Sequence, residues 1–231
     1  MLDLIRNRLR QGIRTLAFPK GPAPEFPERF RGRPTQDPAM SPPDAAGLDL
    51  GTCLFSPEEA ARYTRDYRMA VGRREALVTR TGEVALARAL DERSRRLFGR
   101  SLRLRSVVAG SCGGCEAELV ALGNVVFDLA RFGVQFVASP RHADGLVVTG
   151  AVNVNMRAAL QKTYAAVAAP KIVLAVGACA LSGGPFRGSP EVGAGVDGVP
   201  VDLWVPGCPP HPLTILDGIL RLLGAIEGGE R

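Results

Sequence analysis

Aromatic residues are scarce in this 231-residue chain, at 6%, and no basic run is interleaved with them. That argues against a nucleic-acid surface built on base stacking. Histidine is nearly absent, with only His142 and His211, and Trp204 is the single tryptophan. No run of about 18 apolar residues occurs, so the sequence offers no membrane-spanning helix. The first 18 residues carry charges but neither an apolar h-region nor a twin-arginine pair, so no export signal is read there and the expected location is the cytoplasm. In a reducing compartment the five cysteines read as metal ligands before disulfides.

The apolar fraction, 46%, suffices for one sizeable core, and the length fits one domain with an addition or two small ones. Charge is unevenly placed. Residues 1–105 hold 21 Lys and Arg against 13 Asp and Glu, a net +8, while residues 106–231 hold 8 against 10, a net −2. The first half therefore suits an acidic partner or an anionic surface.

Residues 1–17 place Leu2, Ile5, Leu9, Ile13 and Leu16 on one helical face beside Arg6, Arg10 and Arg14, the pattern of a helix lying on a membrane or docked on a partner. The Pro- and Gly-rich stretch 19–47 reads as an extended linker. A helix start is expected at Ser56-Pro57, and a basic helix over Val84 to Phe98. From Leu104 onward strands and helices alternate. Strands are expected at 104–109, 134–138, 145–149, 171–176 and 201–205, and helices at 116–132, 155–167 and 212–223. This alternation predicts an α/β fold with a parallel, doubly wound sheet, whose sites form where loops leave the carboxyl ends of strands.

Cys112 and Cys115 (SCGGCE, 111–116), Cys179 (GACA, 177–180) and Cys208 (PGCPP, 206–210) sit in turns that close such strands. Four thiolates are what a [4Fe–4S] cube requires, one per iron. Glycine lets backbone approach the inorganic core, and proline fixes the turn. Three alternatives remain open on spacing alone. Structural zinc prefers two short knuckles, whereas Cys179 and Cys208 lie 29 residues apart. A thioredoxin-like dithiol at CGGC leaves Cys179 and Cys208 unexplained. Inert buried thiols are the third.

Six segments occur in order: SCGGCEAE (111–118), SPRHAD (139–144), TGAV (149–152), GAC (177–179), SGG (182–184) and PGCPP (206–210). Together they resemble the small subunit of group 4 membrane-bound [NiFe] hydrogenases of the formate hydrogenlyase type, a family that also includes the 20 kDa subunit of complex I. The resemblance covers about residues 102–224. It implies a flavodoxin-like fold and one [4Fe–4S] cluster on Cys112, Cys115, Cys179 and Cys208. The spaced Cys112 and Cys115 are closer to the hydrogenase branch than to the adjacent cysteines usual in the complex I subunit.

Residues 6–38 are similar to the opening segment of the two-cluster ferredoxin subunit of the same complexes. DLGTCLF (49–55), YTRDYRMA (63–70) and RREALV (73–78) resemble the surroundings of its second cluster. That subunit uses eight cysteines, and here only Cys53 is present, so the likeness implies a degenerate ferredoxin region without clusters. The expected division is an amphipathic helix at 1–18, the degenerate region at 19–100 and the cluster domain at 101–231.

Glu116 and Glu118 flank the cluster turn at a helix N-terminus, either favouring the helix dipole or relaying hydrogen bonds and protons toward a partner. Arg141 could stabilise a reduced cluster or pair across an interface, or be an ordinary surface arginine. His142 and His211 could couple proton and electron uptake, or serve as structural hydrogen-bonders. Trp204 is expected to pack in the sheet. The resemblance implies a non-catalytic electron-transfer subunit beside a hydrogenase-like large subunit, with ferredoxin-like or membrane subunits as further partners, no nucleic acid, and a peripheral place on the inner face of the membrane. A complex I-type subunit passing electrons to quinone is the alternative. A cluster-free assembly scaffold is the alternative of another class.

Overall fold

A computed structural model describes residues 2–22, 24–36, 47–55, 61–79 and 83–226. The first helix, α1 (Leu2–Gln11), stops six residues short of the expected Ala17. Gly12 ends it, adopting φ +66° and donating its N–H to the Arg8 carbonyl at 3.2 Å, a left-handed stop that periodicity alone does not register. Ile13 and Leu16 thus leave the helical face. Leu16 instead packs on the core, its N–H donating to the Val126 carbonyl at 2.9 Å.

Four short strands follow: β1 (Pro34–Gln36), β2 (Leu48–Asp49), β3 (Ala61–Tyr63) and β4 (Val78–Thr79). β1 pairs antiparallel with β3 and β2 with β4. The helix start expected at Ser56 lies outside the described residues. The expected helix 84–98 is only its last turns, α2 (Glu92–Phe98). Asp91 caps it by accepting from the Ser94 N–H at 3.1 Å, while residues before it run extended, with the Ala87 N–H on the Ala70 carbonyl at 2.8 Å.

The main sheet comprises β5 (Leu102–Val108), β6 (Val134–Phe136), β7 (Gly145–Thr149), β8 (Ile172–Val176) and β9 (Leu203–Val205), in spatial order β6-β5-β7-β8-β9 and parallel throughout. Counted within the sheet this is 2-1-3-4-5, the flavodoxin-like order that the family resemblance implies. β7 and β8 are buried along their whole length, as parallel strands covered on both faces must be. The helices of this segment are α3 (Gly114–Ala121), α4 (Val154–Ala166) and α5 (Ala178–Ser182) between strands, and α6 (Pro212–Leu222) after β9. α3 is shorter than the expected 116–132. Asn124 accepts the Val126 N–H at 2.8 Å and Asp128 turns left-handed at φ 47°, so only a 3₁₀ turn, Leu129–Phe132, continues.

Leu174, Val176, Leu203 and Val205 join one buried cluster with α6, and Val173, Ala175 and Trp204 join the other with Leu160 of α4. Every residue of α6 is buried, and Leu16, Phe18, Phe26 and Tyr67 from the N-terminal region pack on the cluster to which it belongs. The approach is close: a Cβ at Gly218 would lie 2.6 Å from Cβ of Ala70. Val71 closes the β9 edge by exchanging backbone hydrogen bonds with Trp204 at 2.9 and 2.8 Å. Among the described residues no helix is long and apolar enough to cross a membrane.

Candidate metal centre

Register aligns Val108 with Thr149, Thr149 with Val176, and Val176 with Val205, so the carboxyl ends of β5, β7, β8 and β9 finish in one row. Cys112, Cys179 and Cys208 follow Val108, Val176 and Val205 within four residues. Three separate turns therefore rise from one edge of the sheet. Gly113, at φ +87°, lets the first turn reverse into α3, which puts Cys115 in the first turn of that helix. Two glycines leave room for sulfur: a Cβ at Gly177 would collide with Sγ of Cys115, and one at Gly184 would lie 2.7 Å from Sγ of Cys179.

The four thiols feel one another. Burial pushes the Cys115 thiol up to about 12, with further contributions from Glu116, Cys179, Cys208 and Cys112. Burial, then Cys208 and Cys112, push Cys179 up to about 11, and Cys208 is raised by burial and Cys112. Four thiolates here would be mutually repulsive unless a cationic group lay among them; a bound metal deprotonates such thiols outright. That donor set, with its glycine cradle, fits a polynuclear iron–sulfur group. Among the described residues, no group of three or more His, Cys, Asp or Glu side chains is placed to hold a metal ion as it stands.

Glu116 reaches back from α3 over the strand ends. Its carboxylate accepts from the Ser111 hydroxyl at 2.7 Å and from the Thr149 hydroxyl. Burial alone would raise this carboxyl, but the two hydroxyls outweigh burial and hold it below its usual range. The sequence offered both hydroxyls, inside motifs already noted, but no spacing rule joins residues that meet only once β5 and β7 are paired. Glu118 is partly buried and its carboxyl is raised by burial.

Arg141 and His142 are exposed in a 3₁₀ turn, Pro140–His142, that leads into the amino end of β7. The cysteine turns leave the carboxyl ends, a whole strand away, so the structure does not bring these two residues to the thiols. His211 lies three residues beyond Cys208 as the N-cap of α6, with Nδ1 accepting the Leu213 N–H at 3.2 Å. Its ring stands edge-on to Phe26, Phe30 and Phe127, and burial lowers its pKa. Its observed contacts are those of a structural cap. Trp204 packs in the sheet. Cys53, 5% exposed, lines a small cavity with Tyr63 and Met69 against the Cys208 turn.

A family model for the NADH ubiquinone oxidoreductase 20 Kd subunit matches residues 112–222. Over 129 residues the chain is 44% identical to a probable membrane-bound hydrogenase subunit, mbhJ, of Pyrococcus furiosus, across 55% of this chain and 77% of that protein. Over 115 residues it is 46% identical to a subunit of the NADH-quinone oxidoreductase of Heliobacterium modesticaldum, across 49% of this chain and 66% of that one. A chain of an archaeal respiratory membrane complex, the membrane-bound sulfane sulfur reductase, superposes with a TM-score of 0.51 at 32% identity, covering 61% of this chain and 78% of that chain. The relatives named are subunits of oxidoreductases with different substrates, and the strand-end cysteine turns lie within or beside the matched stretch. The chain belongs to the family of the complex I 20 kDa subunit and the hydrogenase small subunit.

Proposed function

We propose that the chain is the electron-transfer subunit of a membrane-associated, [NiFe]-hydrogenase-like complex, holding one [4Fe–4S] cluster on Cys112, Cys115, Cys179 and Cys208. The observation that carries this reading is the rise of three cysteine turns from one row of strand ends. A cluster bound there supplies one-electron storage. The chain's part is to give four thiolates, to keep Cβ atoms away at Gly177 and Gly184, and to bury Cys115 and Cys179 more deeply than the exposed Cys112 and Cys208. The exposed side is where a large subunit would close over the site and supply catalysis.

α1 supports a peripheral membrane position. Leu2 and Leu9 are 82% and 78% exposed beside Arg6 and Arg10, a combination suited to an anionic bilayer face or a membrane subunit. Residues 19–100 are proposed to descend from a ferredoxin-like region, with Cys53 as its remaining cysteine. A second reading, a subunit that passes electrons toward quinone, is favoured by the 46% identity to the quinone oxidoreductase subunit. A co-purifying large subunit with two C-x₂-C pairs for nickel and iron supports the first reading, and one with a quinone pocket the second.

Anaerobically purified protein should hold about four irons and four acid-labile sulfides per chain. Serine at Cys112, Cys115, Cys179 or Cys208 should each destroy or convert the cluster, while Cys53→Ser keeps the iron. An iron-free wild-type chain, or iron lost with Cys53→Ser alone, defeats the assignment.

A further inference from the structure

We infer that Glu116, held between the hydroxyls of Ser111 and Thr149, is a positioning residue that fixes a negative charge beneath the thiol cage and so sets how readily the bound group accepts an electron. The inference rests on the cluster reading above and adds a role for three residues outside the cysteine set.

The geometry is specific. A carboxylate only accepts hydrogen bonds, so both hydroxyls must donate to it, Ser111 to one oxygen and Thr149 to the other. Ser111 is itself engaged, because its oxygen takes the Gly113 N–H at 3.2 Å. One chain of hydrogen bonds thus runs from the backbone inside the Cys112–Cys115 turn, through Ser111, to Glu116 and the end of β7. Thr149 stands between Val108 and Val176 in the row of strand ends, so the carboxylate is tied at the middle of the edge from which the turns rise. Backbone packing holds the arrangement: a Cβ at Gly150, directly after Thr149, would lie 2.7 Å from the Gly110 carbonyl, so the two loops can meet only through glycine.

Adding an electron beside a fixed anion is unfavourable, and the effect is strong where water is excluded. Removing the anion should therefore favour the reduced form. The test is an EPR-monitored redox titration of the purified full chain, with iron counted in every variant. Glu116→Gln should shift the reduction equilibrium about tenfold toward the reduced state, about 59 mV upward for a one-electron couple. Thr149→Val frees the carboxylate to turn toward water, where it is screened, and should move the midpoint part of the way in the same direction. Thr149→Ser keeps the hydroxyl and should titrate like wild type. A Glu116→Gln protein with full iron and an unmoved midpoint overturns the inference. Should that variant lose its iron, identical midpoints for Thr149→Val and Thr149→Ser overturn it instead. An iron-free wild type marks failure of the cluster reading, and the inference falls with it.

Discussion

Residues 102–222 and the region before them are built on different principles. In the first, five strands hydrogen-bond to one another in register and share two buried clusters with helices of the same segment. In the second, the four strands among the described residues are two or three residues long and form two pairs, far below what stands alone in water. Its order comes from docking. Val71 pairs with Trp204, the Leu90 N–H donates to the Leu222 carbonyl at 2.9 Å, and the Ser182 hydroxyl donates to the Gly51 carbonyl at 2.6 Å. Leu50, Val71 and Leu77 belong to the same buried cluster as Leu146 and Trp204. One region makes a core and the other borrows it, but the borrowing is mutual, since α6 has no exposed face of its own.

The strongest way to break this comparison is to remove the second region. Deleting residues 2–79 strips Leu16, Phe18, Phe26 and Tyr67 from the cluster that contains α6 and opens the β9 edge, so the remaining chain should be recovered as aggregate. Deleting 2–11 removes only α1, none of whose residues is buried, and should leave solubility and far-UV circular dichroism unchanged while lowering sedimentation with anionic vesicles in a salt-sensitive way. A soluble, folded 80–231 fragment would show that the α/β half needs no cover.

A single methyl group probes the same seam. Alanine is a better helix former than glycine by about 1 kcal/mol, so Gly218→Ala would stabilise an exposed helix. Here its Cβ would meet Cβ of Ala70 at 2.6 Å and Cδ2 of Leu203 at 3.2 Å. Overpacking should win, with a net loss of about 1–3 kcal/mol in denaturant unfolding. Ala70→Gly in the same chain should restore most of it, because the clash is with the N-terminal region. Additive effects of the two substitutions would place the strain elsewhere.

The two halves also differ in how legible they are. β7 occupies the expected 145–149, and α4, β8 and α6 lie within a residue or two of expectation, because a buried strand or helix imposes its period on its own residues. The extended run before Asp91 has the local pattern of a helix, but its partner, Ala70 and Val71, lies far away in sequence, and pairing overrides local propensity. The placement of Cys112, Cys179 and Cys208 at strand ends needs only correct strands. Arg141 and His142 fall among them in order along the chain, although their loop feeds the amino end of β7. The clasp on Glu116 is invisible in the sequence for the opposite reason: Ser111 and Thr149 meet across a sheet.

Smaller, pH-dependent effects are expected within the N-terminal region. Asp66 accepts Arg68 Nε at 2.8 Å and Arg68 Nη2 at 2.9 Å, and Arg33 approaches at 3.4 Å. Burial pushes this carboxyl up, but the hydrogen bonds from Arg68 and the charges of Arg68 and Arg33 outweigh it and hold it below its ordinary 3.8. A carboxyl depressed on folding adds stability above its unfolded value, and that stability is lost as pH falls through the folded value. Asp217, raised chiefly by burial, works in the opposite sense, so the acid profile of the whole protein does not isolate Asp66. The difference between wild type and Asp66→Asn does. It should be about 1–2 kcal/mol at pH 7 and shrink below pH ~4 as Asp66 protonates. Glu92→Gln, which removes the exposed Glu92–Arg96 pair on α2, should change stability by less than about 0.5 kcal/mol. Equal losses from the two substitutions, or an Asp66→Asn loss that does not vary with pH, would mean that this region is held by packing and that its half-buried charges contribute no more than those on the surface.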